Sequence, residues 1–288
     1  MNLPSIRRKI RIIAVPMTGI LLSASWCLAQ GTDPNKVPDV EQQQNQDQQL
    51  KQRQLDQSAS PAGKVDPQEE AAYKAFYDAD PKDPDTKIRL GQAFLEKYPS
   101  SRYAESVYAG MTQAYYGKQD WKDFYDNADK ALALNPNDVP ILAMVGWVIP
   151  HMYNPNDPNA AKDLDKAEQY EKHAIELLAT MQKPANVADD QFAKSKSALE
   201  GEAHSGLGLV YFRKRQPDDS VKELQQAAED SASPDATDLF VLGVDLQSLH
   251  RYPDAADAFN RCAQISSALQ DRCKQSADAA KKQPAPSK

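Results

Sequence analysis

Residues 239–262 of this chain read LFVLGVDLQSLHRYPDAADAFNRC. Three leucines and a glycine in the first half have the spacing of one helical face: Leu239, Leu242, Gly243 and Leu246. A small residue, Ala255, follows twelve positions after Gly243, and Cys262 comes seven positions after that. The pattern predicts two helices joined by a short turn, with small residues where the helices touch.

The same pattern occurs three more times upstream. The first-helix sets are Tyr108, Met111, Thr112 and Tyr115; Leu142, Val145, Gly146 and Ile149; and His204, Leu207, Gly208 and Tyr211. The second-helix positions are Phe124 and Ala131, Ala167 and Ala174, and Ser220 and Ala227. Thr112 and Gly146 are 34 residues apart, and Gly208 and Gly243 are 35 residues apart. A repeat of this length, recurring in phase, indicates stacked helix pairs.

The composition agrees with an all-helical chain. The 288 residues include 40 Ala and 25 Gln but only 11 Gly, and Val and Ile are scarce after Val65. Such a chain is rich in helix formers and poor in strand formers. The composition therefore excludes the enzyme classes whose sites lie at the ends of strands, such as Rossmann folds and TIM barrels.

This 34-residue pattern resembles the tetratricopeptide repeat (TPR), and the resemblance covers about 170 residues. It implies an all-α, right-handed helical solenoid of about four to five helix pairs with a C-terminal capping helix. Two departures are notable. On the second helix of the first pair, Phe124 stands at the position that is usually small and Ala128 at the position that is usually large. On the second helix of the next pair, Glu171 stands where an aromatic residue is usual.

Two stretches of additional residues interrupt the repeat. One is the loop-forming string YNPNDPN at residues 153–159, and the other lies between Ala174 and Gly208, where we expect a long helix ending near Lys214. Upstream, aromatic and apolar residues at 73–77 and 88–95 predict a degenerate first pair.

A second resemblance concerns the stretch KYPSSRYA at residues 97–104, which leads to Gln113-Ala114-Tyr115-Tyr116 and Asp120-Trp121. It is similar to the TPR segment of bacterial envelope proteins such as the Tol-Pal cell-division coordinator and the outer-membrane assembly lipoproteins. This similarity spans some 30 residues. It implies the envelope as the compartment and does not identify a partner.

The first 29 residues have the layout of an export signal. Arg7, Arg8, Lys9 and Arg11 precede an uncharged run that ends in Cys27-Leu28-Ala29, which predicts cleavage before Gln30. The alternative is an uncleaved inner-membrane anchor formed by residues 12–29. A lipoprotein signal is disfavoured because Trp26 stands where a small residue is needed, and the Arg pair lacks the pattern of a twin-arginine signal.

The remaining boundaries follow from composition. Residues 30–65 are Gln-rich with few apolar residues, which predicts a disordered tether; a short coiled coil is disfavoured because Val40, Leu50 and Leu55 form no heptad seam. Residues 66–281 form the predicted TPR solenoid, and residues 282–288 a disordered tail.

The net charge of the chain limits the classes of partner that it can bind. Removal of residues 1–29 leaves 30 Lys and Arg against 41 Asp and Glu, a net charge of −11. Such a surface repels phosphate backbones, so we expect no nucleic-acid partner. We expect membrane association only through an uncleaved N-terminal segment, and the sequence does not predict an oligomeric state.

Outside the signal the chain contains two cysteines, Cys262 and Cys273. In one continuous helix they would lie about 16 Å apart, beyond the reach of a disulfide. A disulfide therefore requires a turn, for which residues 265–267 are suited, and an exported chain favours its formation. The alternative is two buried thiols.

No catalytic chemistry is evident from the sequence. The four histidines lack metal-ligand spacing, Ser205 lacks the strand context of a nucleophile elbow, and there is no glycine-rich phosphate loop. His204 falls on a repeat core position, which predicts a packing role. We therefore expect no enzyme activity, no cofactor and no metal.

A stack of helix pairs has a concave face lined by its first helices. We expect this face to bind a peptide segment or helix of another envelope protein. The predicted lining is Gln113, Tyr116, Trp147, Pro150, His151, Leu209, Phe212, Arg213, Val244 and Gln247.

Three alternatives remain open at this stage. The bulky groove residues could instead pack against the long 190–214 helix or the 150–163 insertion. The chain could dock a multi-subunit envelope machine through its convex or edge surface. It could also be an envelope enzyme with a site between helices.

Overall fold

The computed structural model describes residues 66–231 and 234–283. The predicted export signal at 1–29 and tether at 30–65 lie outside the described residues, as does the tail from residue 284 onward. Within the described ranges the chain forms eleven α-helices and no strand. They are α1 (Pro67–Tyr77), α2 (Pro84–Lys97), α3 (Ala104–Lys118), α4 (Trp121–Leu134), α5 (Val139–His151), α6 (Ala160–Thr180), α7 (Asp189–Arg213), α8 (Pro217–Asp230), α9 (Ala236–Ser248), α10 (Tyr252–Gln264) and α11 (Gln270–Lys281).

Aspartates start many of these helices. The side chain of the residue before the helix accepts a backbone N–H of the first turn, which satisfies a donor that has no partner within the helix. Asp138, for example, accepts the Ile141 N–H at 3.2 Å. The capping residues are Asp66, Asp83, Asp120, Asp138 and Asp235, before α1, α2, α4, α5 and α9.

The helices pack as five consecutive pairs. α1 packs on α2, α3 on α4, α5 on α6, α7 on α8 and α9 on α10, and α11 covers α10. Neighbouring pairs also touch, because α5 contacts α7 and α7 contacts α9. We call the earlier member of each pair its first helix and the later member its second helix. This arrangement confirms the predicted all-α, TPR-type solenoid with a final capping helix.

Three of the pairs share one turn geometry. Gln119, Arg215 and His250 each adopt a left-handed backbone conformation, with φ of 59°, 60° and 58°. Each stands seven residues after the small first-helix position, so the turn recurs in register with the repeat. The next backbone N–H closes the turn, as Arg251 does by donating to the Leu246 carbonyl at 2.8 Å. The repeat therefore specifies turns as well as helices.

The small first-helix residues lie where the helices cross, as predicted. A Cβ atom built on Gly243 would stand 2.5 Å from the ring of Phe259, and one on Gly208 would stand 2.6 Å from Leu224. The hydroxyl of Ser220 donates to the Gly208 carbonyl at 2.9 Å, which fixes the α7–α8 crossing directly. A side chain at these glycines would thus force the two helices apart.

The irregular segments fall where the sequence departs from the repeat. Residues 152–159 form a loop of consecutive turns, in which the Asn159 N–H bonds the Asp157 side chain at 2.8 Å. The predicted long helix is α7, which ends at Arg213. Residues 265–269 separate α10 from α11, as the cysteine spacing required.

Candidate functional site

The structure divides the predicted groove residues among three environments. Gln113 is exposed at one end of the first-helix face. The central group, on α5 and the end of α7, consists of Trp147, Pro150, His151 and Arg213. Most of the others pack against apolar clusters.

The central residues are bonded to one another. The Trp147 indole N–H donates to the Ser205 hydroxyl at 3.2 Å, and its ring stacks on His151 with 3.7 Å between centroids. His151 Nδ1 lies 2.7 Å from the Trp147 carbonyl, and burial lowers the pKa of His151. The Arg213 guanidinium donates to the Pro150 carbonyl at 3.2 Å. The Trp147–Ser205 and Arg213–Pro150 hydrogen bonds join α5 to α7, the first helices of two neighbouring pairs.

Two predicted lining residues, Pro150 and Leu209, are buried and do not line an open groove. Leu209 is 2% exposed and packs in a core cluster with Leu242 and Leu246, because α9 lies against this part of α7. Phe212 and Val244 are half-buried against the same cluster. The ring of Tyr116 lies 6.1 Å from the rings of Trp121 and Phe124 on the second helix of its own pair. Gln247 is half-buried.

An open cleft lies on the first-helix face near its N-terminal end. Its volume is about 320 Å³, and α1, α2, α3 and the start of α5 form its walls. We call it the N-terminal cleft and define it by Tyr73, Phe76, Tyr77, Glu105, Gln113 and Asp138. Tyr77 is 69% exposed, which is unusual for a large aromatic side chain. Of the predicted groove residues, Gln113 lies in this cleft.

Two carboxyl groups meet in the N-terminal cleft. Asp138 and Glu105 both line this cleft, and Glu105 is one of the groups that act on the Asp138 carboxyl group. Burial first, and then the contact with Glu105, raise the pKa of Asp138 to about 6, while the N–H of Ile141 opposes this shift. Glu105 also accepts the Ser106 hydroxyl at 3.1 Å. No Lys, Arg or His among the described residues forms an ion pair with either carboxyl.

A second cleft, of about 440 Å³, lies beside the 152–159 loop. We call it the loop cleft, and Trp121, Tyr125, Ile149, Met152, Tyr153 and Asp163 line it. Met152 is 51% exposed there. This surface includes residues of the second helices α4 and α6, so it is distinct from the first-helix face.

Several carboxyl groups are buried between helices without full hydrogen bonding. Neither carboxyl oxygen of Glu171 has a partner, and burial, together with the nearby charge of Glu202, raises its pKa well above the usual range. The carboxyl lies against Gly146 and Gly206, where any larger residue would collide with it. The carboxyl group of Asp238 has one oxygen without a partner, and burial raises its pKa to about 7. Neither Glu171 nor Asp238 lines the N-terminal cleft or the loop cleft.

His204 Nδ1 lies 2.7 Å from a Glu223 oxygen, so this histidine packs in a side-chain pair. No group of three or more His, Cys, Asp or Glu side chains among residues 66–231 and 234–283 is arranged to hold a metal ion. In the same ranges, no helix is both long and apolar enough to cross a membrane.

Cys262 and Cys273 are both fully buried between α10 and α11. Their Cα atoms lie 5.8 Å apart, within the usual range for a disulfide. The 265–269 break between the helices brings them together. The geometry is that of the predicted pair, and its oxidation state in solution remains a prediction.

The acidic residues of the N-terminal cleft were not predicted from the sequence. Glu105 lies one residue into α3 and Asp138 lies just before α5, so both stand at the start of a first helix. Aligning consecutive repeats would have placed these two starts side by side. The sequence therefore indicates that these two acids are neighbours only when consecutive helix pairs are aligned with each other.

No protein-family model matches the chain, and no curated protein matches it significantly. Three solved structures share its helical arrangement in part. TTC0263, a TPR protein of Thermus thermophilus, is 14% identical with a TM-score of 0.45, covering 68% of this chain and 90% of that one. PilF of Pseudomonas aeruginosa is 14% identical with a TM-score of 0.46, covering 74% and 86%. The MamA RS-1 ArsTM double mutant is 16% identical with a TM-score of 0.41, covering 73% and 94%.

At these identities the likeness concerns the fold alone. The helix pairs, their recurring turns and their glycine crossings are the observations that establish it. The chain is an all-α protein with a TPR-type fold.

Proposed function

We propose that this protein is an exported, non-catalytic scaffold that binds a peptide segment of another cell-envelope protein on its first-helix face. The observation that carries the proposal is the N-terminal cleft. It is open, it lies on the first-helix face, and it contains both an exposed aromatic ring and polar side chains. Such a mixture of apolar and convergent polar groups is typical of a binding surface.

The central part of the first-helix face has a structural role, because its side chains connect α5 to α7. Trp147 bonds Ser205 on α7 and Arg213 bonds Pro150 on α5, so these two residues hold α5 against α7, while His151 bonds and stacks on Trp147 within α5. The proposed binding region is therefore narrower than the sequence predicts. It is centred on Gln113 and Tyr77.

Export is part of the proposal and rests on the first 29 residues and on the resemblance of residues 97–121 to envelope TPR segments. Fractionation of the native cells followed by N-terminal sequencing tests it. We expect the mature chain in the periplasm beginning at Gln30. A cytoplasmic chain beginning at Met1 would overturn this part of the proposal.

Photo-crosslinking tests the binding face. A photoreactive amino acid is placed at Gln113 and, as a matched control, at Gln225, which is also an exposed glutamine and lies on the second helix α8. We expect a discrete crosslinked protein in the native envelope from position 113 and none from position 225. The opposite result would exclude the first-helix face.

The loop cleft favours the second candidate, docking of a multi-subunit machine through an edge surface. Its exposed Met152 and its aromatic lining are the specific observation. The same crosslinker at position 152 separates the candidates. Products from 152 without products from 113 would establish the edge surface as the functional one.

A further inference from the structure

The N-terminal cleft is lined by aromatic rings and by acids, which come from different helices. The rings of Tyr73, Phe76 and Tyr77 belong to α1. The carboxyl groups of Glu105 and Asp138 belong to the starts of α3 and α5. A partner side chain entering this cleft would therefore meet apolar surface and negative charge together.

The two carboxyl groups are an uncompensated pair. Two ionised carboxylates in one cleft repel each other, and a cation held by both would relieve that repulsion. No cationic side chain of the described residues pairs with them. The positive end of α5 contributes only about half a charge. The pair is therefore poised to accept a cation from outside the described fold.

Lys87 also lines the cleft, but it is held elsewhere. Its ammonium group donates to the Phe76 and Tyr77 carbonyls at 2.6 and 3.2 Å, at the C-terminal end of α1. It also lies 4.2 Å above the Phe76 ring. An ammonium group on an aromatic ring thus already exists on this wall of the cleft, while the acidic pair stays unneutralised.

We propose that the N-terminal cleft captures an extended segment of the partner protein by one Lys or Arg side chain. The cationic head binds between Glu105 and Asp138, and the aliphatic stem lies along the exposed ring of Tyr77. Charge-assisted hydrogen bonds to two carboxylates supply specificity, and the stem covers apolar surface while its head stays polar. This proposal rests on the first-helix face being the binding face and adds the chemistry of the bound segment.

A random 12-residue peptide library displayed on phage is the probe. It is selected in parallel on the immobilised full chain, on the double variant Glu105→Gln/Asp138→Asn, and on the control Glu96→Gln/Asp120→Asn. Asparagine is also a good N-cap, so both variants keep their helix starts. The control removes the same number of charges, one of them also at an N-cap, outside the cleft. Circular dichroism confirms that all three chains are folded.

We expect peptides containing Lys or Arg beside apolar residues to be enriched on the unaltered chain and on the control. A selected peptide should bind the double variant at least tenfold more weakly. Replacing its basic residue by norleucine should weaken binding to the unaltered chain by a similar factor. A photoreactive group at position 113 should crosslink to the peptide.

The failures are distinguishable. Peptides that crosslink to position 113 but lack a basic residue, or bind the double variant equally well, overturn the cation-binding proposal and leave the binding face intact. If no selected peptide reaches position 113, both proposals fail. A concentration-dependent dimer of the unaltered chain that the double variant abolishes would identify a second copy as the occupant and would also overturn the proposal.

Discussion

The α9–α10 pair and the α5–α6 pair have the same crossing but fill it with opposite chemistry. The space against Gly243 holds the ring of Phe259, whereas the equivalent space against Gly146 holds the carboxyl group of Glu171. Both side chains are almost fully buried. The glycine sets how closely the helices approach, and it does not set the polarity of what fills the gap.

The difference has an energetic consequence. The Phe259 ring gains its full transfer free energy on burial. The Glu171 carboxyl group loses its hydration without gaining a hydrogen bond, and its raised pKa reflects that loss. The crossing of the α9–α10 pair, which we call the regular crossing, is therefore expected to stabilise the array more than the irregular crossing of the α5–α6 pair. Substitutions at the two crossings can test this contrast.

The largest effect is expected from Phe259→Ala. Removing a fully buried ring should lower the free energy of unfolding by about 3 to 5 kcal/mol. Urea denaturation followed by circular dichroism measures it. Tyr77→Ala, which truncates an exposed ring, is the control and should change stability by less than about 1 kcal/mol. A loss for Phe259→Ala as small as that control would contradict the account of the crossing.

The cysteine pair next to this crossing should be oxidised. Thiol titration of the denatured, unreduced mature protein is expected to find no free thiol. Because the cysteines are 11 residues apart, reduction should lower the free energy of unfolding by about 3 kcal/mol. A Cys262→Ala/Cys273→Ala variant should not respond to reductant. Two titrated thiols would show that the pair is buried but reduced.

Stability should fall as pH rises, because the α9–α10 pair also contains a buried carboxyl group, that of Asp238 on α9. The pKa of Asp238 is about 7 in the folded chain and lower when unfolded, so the folded state binds the proton more tightly. Asp235 and Ser205 act on this carboxyl group, and burial is the largest cause of the shift. Its contribution is complete below about pH 4 and is lost as the pH rises through about 7.

Urea titrations at pH 5 and pH 8 test this linkage. We expect the free energy of unfolding to be lower at pH 8, by on the order of 2 kcal/mol from Asp238 alone. Asp238→Asn should flatten the profile, whereas Asp257→Asn, at an exposed aspartate of α10, should not. A free energy of unfolding that is higher at pH 8 would refute the assignment.

Replacing Glu171 by Met fills the crossing of the α5–α6 pair with an apolar side chain, as Phe259 does in the α9–α10 pair. The thioether side chain has a similar size and no charge to desolvate, so we expect a gain of about 1 to 2 kcal/mol in the free energy of unfolding at pH 7. Glu171→Gln keeps a polar group in the same site and should gain less. A loss on Glu171→Met would mean that the carboxyl group has a stabilising partner.

The smallest effect concerns the turns. Arg215 has φ of 60°, which costs a non-glycine residue about 1 kcal/mol. Arg215→Gly should therefore raise the free energy of unfolding by about 0.5 kcal/mol. Arg261→Gly, at an exposed position inside α10, should lower it by about 1 kcal/mol. Equal signs for the two changes would contradict the role assigned to the left-handed turns.

The helix pairs could be predicted because their signal is local and repeated. Gly208 and Gly243 with their apolar neighbours specify a helical face, and the 34-residue spacing specifies stacking. The long α7 and the 152–159 loop were also predictable, because they appear as excess length between repeat positions.

The groove was only partly predictable. Gln113 does line an open cleft, but Leu209 is buried by α9. The exposure of a first-helix side chain depends on how closely the next helix pair packs against it. The acid pair of Glu105 and Asp138 lies 33 positions apart in the chain and becomes a pair only across two repeats.

The sequence by itself determined the all-α class, the helix pairs, the register of the small residues and the turn between Cys262 and Cys273. These follow from spacing and local propensity, which act within one or two helices. The tertiary structure decided which first-helix residues stay open and which carboxyl groups lose their water. Burial and charge depend on distances between helices, and packing across neighbouring pairs sets those distances.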